Sequence, residues 1–154
     1  MSEVTLRQAT PEDVGLGYKG GNDPTVRGNA VSTDPIPYDN HVAWYRGRLN
    51  NPDCHIYIGM AKENRPVGII RVEKQSEEPT VGMISYSVDA GERGKGIGTK
   101  LLSLVARKLY GTELITLAGQ VKPDNTASRK AFERAGFMES NRKLEYIEYR
   151  KALR

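Results

Sequence analysis

Two patterns of apolar and polar residues organise the chain, and they lie side by side. From Ile84, apolar Ile84, Tyr86 and Val88 alternate with Ser85, Ser87 and Asp89, the period of two of a half-buried strand. From Ile97, the residues Ile97, Leu101, Val105 and Leu109 fall four apart, with Leu102 and Ala106 beside them. That is the apolar stripe of an amphipathic helix. Between the two sit Gly91, Gly94, Gly96 and Gly98, interleaved with Arg93 and Lys95. The segment reads as strand, glycine turn, helix.

The remaining pattern builds outward from this unit. Val4 to Ala9 reads as a first strand, and Thr10-Pro11-Glu12-Asp13 as a helix start. Tyr38 to Asn50 reads as a helix capped by Asp39, with His41, Trp44, Tyr45 and Leu49 on one side and Trp44 expected in the core. His55–Ala61, Val67–Glu73 and Thr80–Asp89 are three successive strands without helices, hence an antiparallel meander. Leu114–Val121 is a strand that follows the long helix, so the two strands flanking that helix form a parallel pair. Asn125 and Thr126 open a last helix that stops at Gly136, and Phe137–Asn141 and Lys143–Lys151 close the chain as strands. The fold class is mixed α/β, one domain over residues 1–154 with an antiparallel N-terminal sheet and flanking helices.

The glycine turn carries the first chemical signal. A helix N-terminus is partly positive and normally takes Asp or Glu in its first turn. Here the first turns carry Lys95 and Lys100 and no acid. Glycines let backbone N–H groups converge, so the pattern describes an anion site at a helix N-terminus. It is not a dinucleotide fingerprint, because Thr99 stands where the third glycine is needed. Nor is it a P-loop, because Ile97 stands where the lysine is needed.

Composition narrows the partners. The chain has 154 residues, 38% of them hydrophobic, enough for one core. A formal charge of +4 suits an anionic cofactor or substrate, but the basic residues are interspersed with acids, which disfavours nucleic acid. One cysteine, Cys54, and two histidines, His41 and His55, argue against a metal site. The absence of a long apolar run or a signal-like N-terminus gives the expectation of a cytoplasmic protein without membrane contact. Residues 15–37, rich in glycine and with Pro24, Pro35 and Pro37, are expected to form part of a binding surface.

The run Arg93 through Gly98, R-x-x-G-x-G, resembles the acetyl-CoA pyrophosphate loop of the GCN5-related N-acetyltransferases. The segment Val121 to Phe137, with Asn125 and Ser128 ahead of the Gly136-Phe137 pair, is similar to that family's second signature. The order of elements matches as well. The resemblance implies a sheet of about seven strands whose parallel pair splays at the cofactor. It implies that the Val88 backbone pairs with the pantetheine arm. Backbone groups of Arg93, Gly94, Lys95, Gly96, Ile97, Gly98 and Thr99 would cradle the pyrophosphate. Asn125, Ser128 and Phe132 would line the cofactor, with Arg129 beside Ser128. The implied reaction is direct acetyl transfer from acetyl-CoA to a primary amine, with no metal; a homodimer stays open.

One position departs from the family pattern. Phe132 stands where many members have a tyrosine that acts as general acid. Tyr86 and Tyr149 are the candidates to supply that proton, and Glu73 and His41 the candidates for the base. Asn22 to Arg27, with Ile36, His41 and Trp44, is similar to the branch that acts on nucleotide-linked amino sugars. This places Arg27 and His41 on the acceptor side. Peptide or ribosomal-protein N-terminal acetylation, and a CoA-binding regulator without turnover, are the alternatives.

Overall fold

In the computed structural model, residues 3–16 and 37–153 are described. Seven strands form one sheet in the order β1-β2-β3-β4-β5-β7-β6. They are β1 (Thr5–Gln8), β2 (Cys54–Ala61), β3 (Arg65–Lys74), β4 (Val81–Val88), β5 (Thr116–Val121), β6 (Met138–Arg142) and β7 (Ile147–Ala152). Only β4 and β5 pair in parallel; the other neighbours are antiparallel. Helices α1 (Tyr38–Leu49), α2 (Ile97–Leu109) and α3 (Thr126–Arg134) flank the sheet. The architecture is the mixed α/β sheet that the sequence predicts.

Strand alternation sorts the side chains into two cores. Tyr57, Ile70, Val72, Ile84 and Leu117 point to one face and pack with Leu101, Leu102, Val105 and Leu109 of α2 and Phe132 of α3. Ile56 and Ile58 point to the other face, where Tyr45 of α1 covers them with Ala9. Leu101, Leu102 and Val105 are completely inaccessible. Each such side chain contributes about 1.5–3 kcal/mol of transfer free energy, which holds α2 on the sheet.

Several boundaries shift, each for a local reason. The N-cap of α1 is Pro37, not Asp39; Asp39 lies in the first turn, where its charge complements the helix dipole. The β2–β3 turn falls at Lys62–Asn64, with Glu63 and Asn64 at φ 62 and 55, so β3 already begins at Arg65. The last strand begins at Ile147 rather than Lys143. Trp44 is not a core residue: it is 37% exposed, while Tyr45 is 1% exposed. His41, Tyr45 and Leu49 form one row four residues apart that faces the sheet, and Trp44 sits at its flank.

The feature that positions the site is where pairing stops. β4 and β5 are in register from Val81↔Thr116 to Ile84↔Gly119. Beyond that point β4 stays on β3 as far as Val88↔Gly68, while β5 stays on β7 as far as Val121↔Ile147. The two strands part, leaving a slit in the middle of the sheet. Among the described residues no helix is long and apolar enough to cross a membrane.

Candidate active site

The slit opens into a cavity of about 950 Å³ that is lined from both faces of the sheet. On the α2–α3 face it meets Ile84, Tyr86, Val88, Ile97, Gly98, Asn125, Ser128 and Phe132. On the α1 face it meets His41, Trp44, Tyr45, Ile69 and Arg71. The backbone of β4 contributes as well. The Asp89 N–H donates to the Val67 carbonyl on β3 at 2.8 Å, and the N–H groups of Ile115 and Thr116 reach Thr80 on the opposite edge. Alternation along an antiparallel strand therefore turns the N–H groups of Tyr86 and Val88 away from β3 and into the slit, beyond the last residue paired to β5. An extended polar chain could dock on them as a strand would.

The glycine turn stands at the mouth of the slit. Gly94 and Gly96 have φ of 79 and 76, a region that L side chains rarely adopt. Gly96 is the residue that turns the chain into α2, and the first turn of that helix contains no acid. Arg93, Gly94, Gly96, Ile97, Gly98 and Thr99 line the cavity. Lys95 is not among the lining residues; its Nζ donates to Glu92 at 3.0 Å. Glu92 is 8% exposed and also pairs with Arg65. This buried carboxylate had no signal in the sequence. With glycines on the cavity wall at the start of a helix and cationic residues on the loop, these residues suit a diphosphate attached to a slender chain.

The tyrosine candidates separate clearly. The Tyr86 hydroxyl lies 2.9 Å from that of Ser128, and both residues line the cavity. Burial pushes the Tyr86 hydroxyl up from its ordinary value, partly offset by the Ser128 hydrogen bond. Asn125 caps α3 by accepting from the Ser128 N–H at 3.3 Å, and it too lines the cavity. Tyr149 is completely buried and is not a lining residue. It donates to Glu133 at 3.0 Å, accepts from Arg129, and stacks on Phe132 with centroids 5.6 Å apart. It is thereby corrected from a candidate acid to a core residue. Arg129, expected near the cofactor, instead holds Tyr149 and the Pro123 carbonyl.

Phe132 does two things. It lines the cavity, and it is packed edge-on to Tyr86 and Phe137 at 5.9 and 5.0 Å. Its Cζ and Cε1 would lie 2.3 and 2.5 Å from a Cβ placed on Gly119, so one edge of the ring lies against β5 at that residue. A glycine is required at that position for the ring to fit.

On the α1 face, His41 is 5% exposed and its Nε2 lies 3.1 Å from the Val14 carbonyl. A carbonyl only accepts, so Nε2 carries the proton, and burial lowers the ring's affinity for a second one. The Tyr45 hydroxyl donates to the Thr10 carbonyl at 2.8 Å, and burial pushes it up to about 12. The Thr10–Val14 turn is thus tied to α1. Asp13 in that turn accepts twice from Arg7, both at 2.8 Å. Arg71 reaches the cavity from β3, its guanidinium 4.7 Å above the Trp44 ring and bonded to Ser85 at 3.0 Å. Glu73 does not line the cavity; it pairs with Arg71 at 2.7 Å and Arg48 at 3.4 Å. Its position is that of a partner for guanidinium groups, not of a base. Arg27 and most of the 15–37 stretch lie outside the described residues. Among the described residues no cluster of His, Cys, Asp or Glu is placed to hold a metal ion.

Known proteins share this fold. Residues 3–138 match the acetyltransferase (GNAT) domain. An uncharacterised protein of Methanocaldococcus jannaschii is 26% identical over 146 residues, which is 92% of this chain but 29% of that protein; the chain spans under a third of that relative's length. The aminoglycoside acetyltransferase AAC(6')-Ib, solved with coenzyme A, superposes with a TM-score of 0.84 at 22% identity, covering 97% of this chain and 95% of its own. Spermidine N-acetyltransferase from Vibrio cholerae, solved with CoA and spermine, gives 0.84 at 13% identity, with 97% and 95% covered. These superpositions establish the fold, and the match over residues 3–138 establishes kinship: the chain belongs to the GNAT acetyltransferase family.

Proposed function

We propose that the chain transfers an acetyl group from acetyl-CoA to a primary amine within a ternary complex. The observation that carries this is the slit between β4 and β5. It brings two inward N–H groups, the Tyr86 hydroxyl and the glycine turn to one passage through the sheet. Acetyl-CoA supplies an activated acyl group on a thiol leaving group. The Tyr86 and Val88 N–H groups hold the cofactor's extended arm, and the Val88 N–H is placed to stabilise the developing oxyanion. Backbone of the Arg93–Thr99 turn holds the diphosphate at the start of α2. Tyr86, kept protonated by burial and oriented by Ser128, hands its proton to the departing thiolate, the role that Phe132 cannot fill. His41, neutral and on the opposite face, is the base for the incoming ammonium, directly or through water. Glu73 has no place in this scheme.

The acceptor binds on the α1 face; a nucleotide-linked amino sugar is the acceptor class suggested by the sequence, which also offers Arg27 as a residue that binds it. Acetyl-CoA should raise the melting temperature, because a ligand bound only by the folded state stabilises it. It should also release free thiol when an accepted amine is added. Binding without thiol release from any amine would replace catalysis with a sensing role.

A further inference from the structure

The acceptor half of the cavity has a distinct electrostatic character. Two guanidinium groups, Arg48 and Arg71, share one carboxylate, Glu73, so this cluster keeps a net positive charge. Arg71 presents that charge to the cavity and rests on Trp44, whose ring is partly exposed and lines the same wall. One of its terminal nitrogens is bonded to Ser85, and Nε lies against Glu73. Its side chain is still 27% exposed. Among the described lining residues the only carboxylate is Glu92, and it sits beside the glycine turn, committed to Arg65 and Lys95. The other acceptor-side lining residues are aromatic, aliphatic, His41, Asn40, Ser85 and Ser87, none of them acidic.

Among the described acceptor-side lining residues a polycation would meet no carboxylate, and it would be repelled by Arg71. An acceptor with a carboxylate or phosphate next to its amine would instead gain a charge-assisted hydrogen bond from a half-buried guanidinium, in a fork geometry suited to either anion. We infer that the acceptor is a small amine bearing an anionic group, and that Arg71, held flat on Trp44, is the residue that selects it. This presupposes the acetyl transfer proposed above.

The test uses matched pairs: an amino acid against its amide, and an amino-sugar phosphate against the unphosphorylated amino sugar, with spermidine as the polycation. Thiol release by the wild-type protein should show the anionic member of at least one pair preferred by about tenfold or more in kcat/KM. The pair that shows it tells carboxylate from phosphate. Arg71→Met should remove that preference by slowing the anionic member about tenfold more than its neutral partner, and Arg71→Lys should keep part of it. Trp44→Ala, at a partly exposed position, should weaken the preference without unfolding the protein. Equal or reversed preference in the wild type, spermidine as the best acceptor, or a preference that survives Arg71→Met would overturn the inference. If no amine is turned over, the same pairs are read as melting-temperature shifts in the presence of CoA, and no shift with either anionic member overturns it too. An acetyl-CoA shift on its own tests the donor half, so the two failures are told apart.

Discussion

The hydroxyl of Tyr86 lies 2.9 Å from the hydroxyl of Ser128, joining β4 to the first turn of α3 across the slit. Replacing Tyr86 with Phe should therefore lower kcat by about a hundredfold or more while leaving KM for acetyl-CoA nearly unchanged. Ser128→Ala should have a smaller effect in the same direction. An acid must be protonated to act, and burial raises this hydroxyl above the ordinary tyrosine value of 10.0. The rate should accordingly decline only as pH rises beyond that value. Thiol release followed against pH checks both points; an unchanged kcat and alkaline limb in Tyr86→Phe would remove Tyr86 from the mechanism.

The contact of Phe132 with Gly119 gives a second prediction. A Cβ on Gly119 would lie 2.3 Å from the Phe132 ring, so Gly119→Ala should destabilise by about 1–3 kcal/mol. Phe132→Tyr should not restore activity to the Tyr86→Phe protein, because the hydroxyl that Ser128 orients is the one on β4. Urea unfolding and thiol release on the double variant measure these two outcomes.

Gly96 tests the donor site without touching the core. A Cβ there would have nothing within 4 Å, so the cost of Gly96→Val arises from its φ of 76 alone. The unliganded protein should remain folded and lose about 1–2 kcal/mol. Its melting temperature should no longer respond to acetyl-CoA. A full response would show that the turn does not hold the cofactor.

Acid should weaken the protein in two stages. Burial places the His41 pKa below its ordinary 6.5, so the unfolded chain takes up a proton first and stability declines as pH falls below that value. Hydrogen bonds from Arg7, then Thr10, hold Asp13 below its ordinary 3.8. The stability this contributes is present above that value and is lost as pH falls through the lowered one. Asp13→Asn should cost about 1–3 kcal/mol at neutral pH and flatten the lower stage. His41→Gln, which keeps a donor for Val14, should flatten the upper one. Melting temperatures between neutrality and strong acid would resolve both.

What the sequence discloses here is what periodicity can encode. Ile84–Val88 and Ile97–Leu109 show their buried faces directly, and the glycines between them announce a turn of unusual backbone. Period alone places Tyr86 and Tyr149 on strands, yet only the packing shows one at the slit and the other sealed behind Phe132. Trp44 is misjudged because a helix wheel gives direction but not where the neighbouring sheet ends. Arg71 looks like any charged residue in an alternating strand. Its meaning comes from Trp44 and Ser85, which lie far along the chain and leave no local mark.

The parting of β4 from β5 leaves the protein with a strand edge on the inside. Outer edges invite pairing with any passing chain. This one faces the cavity, with α2 and α3 on one face of the sheet and α1 on the other, so whatever pairs with it must enter the slit. The amide hydrogens of Tyr86 and Val88 should exchange with solvent deuterium at the pace of an edge, although they belong to a central strand. They should slow markedly once acetyl-CoA is added. If acetyl-CoA pairs there, the sheet would be complete only while it is bound.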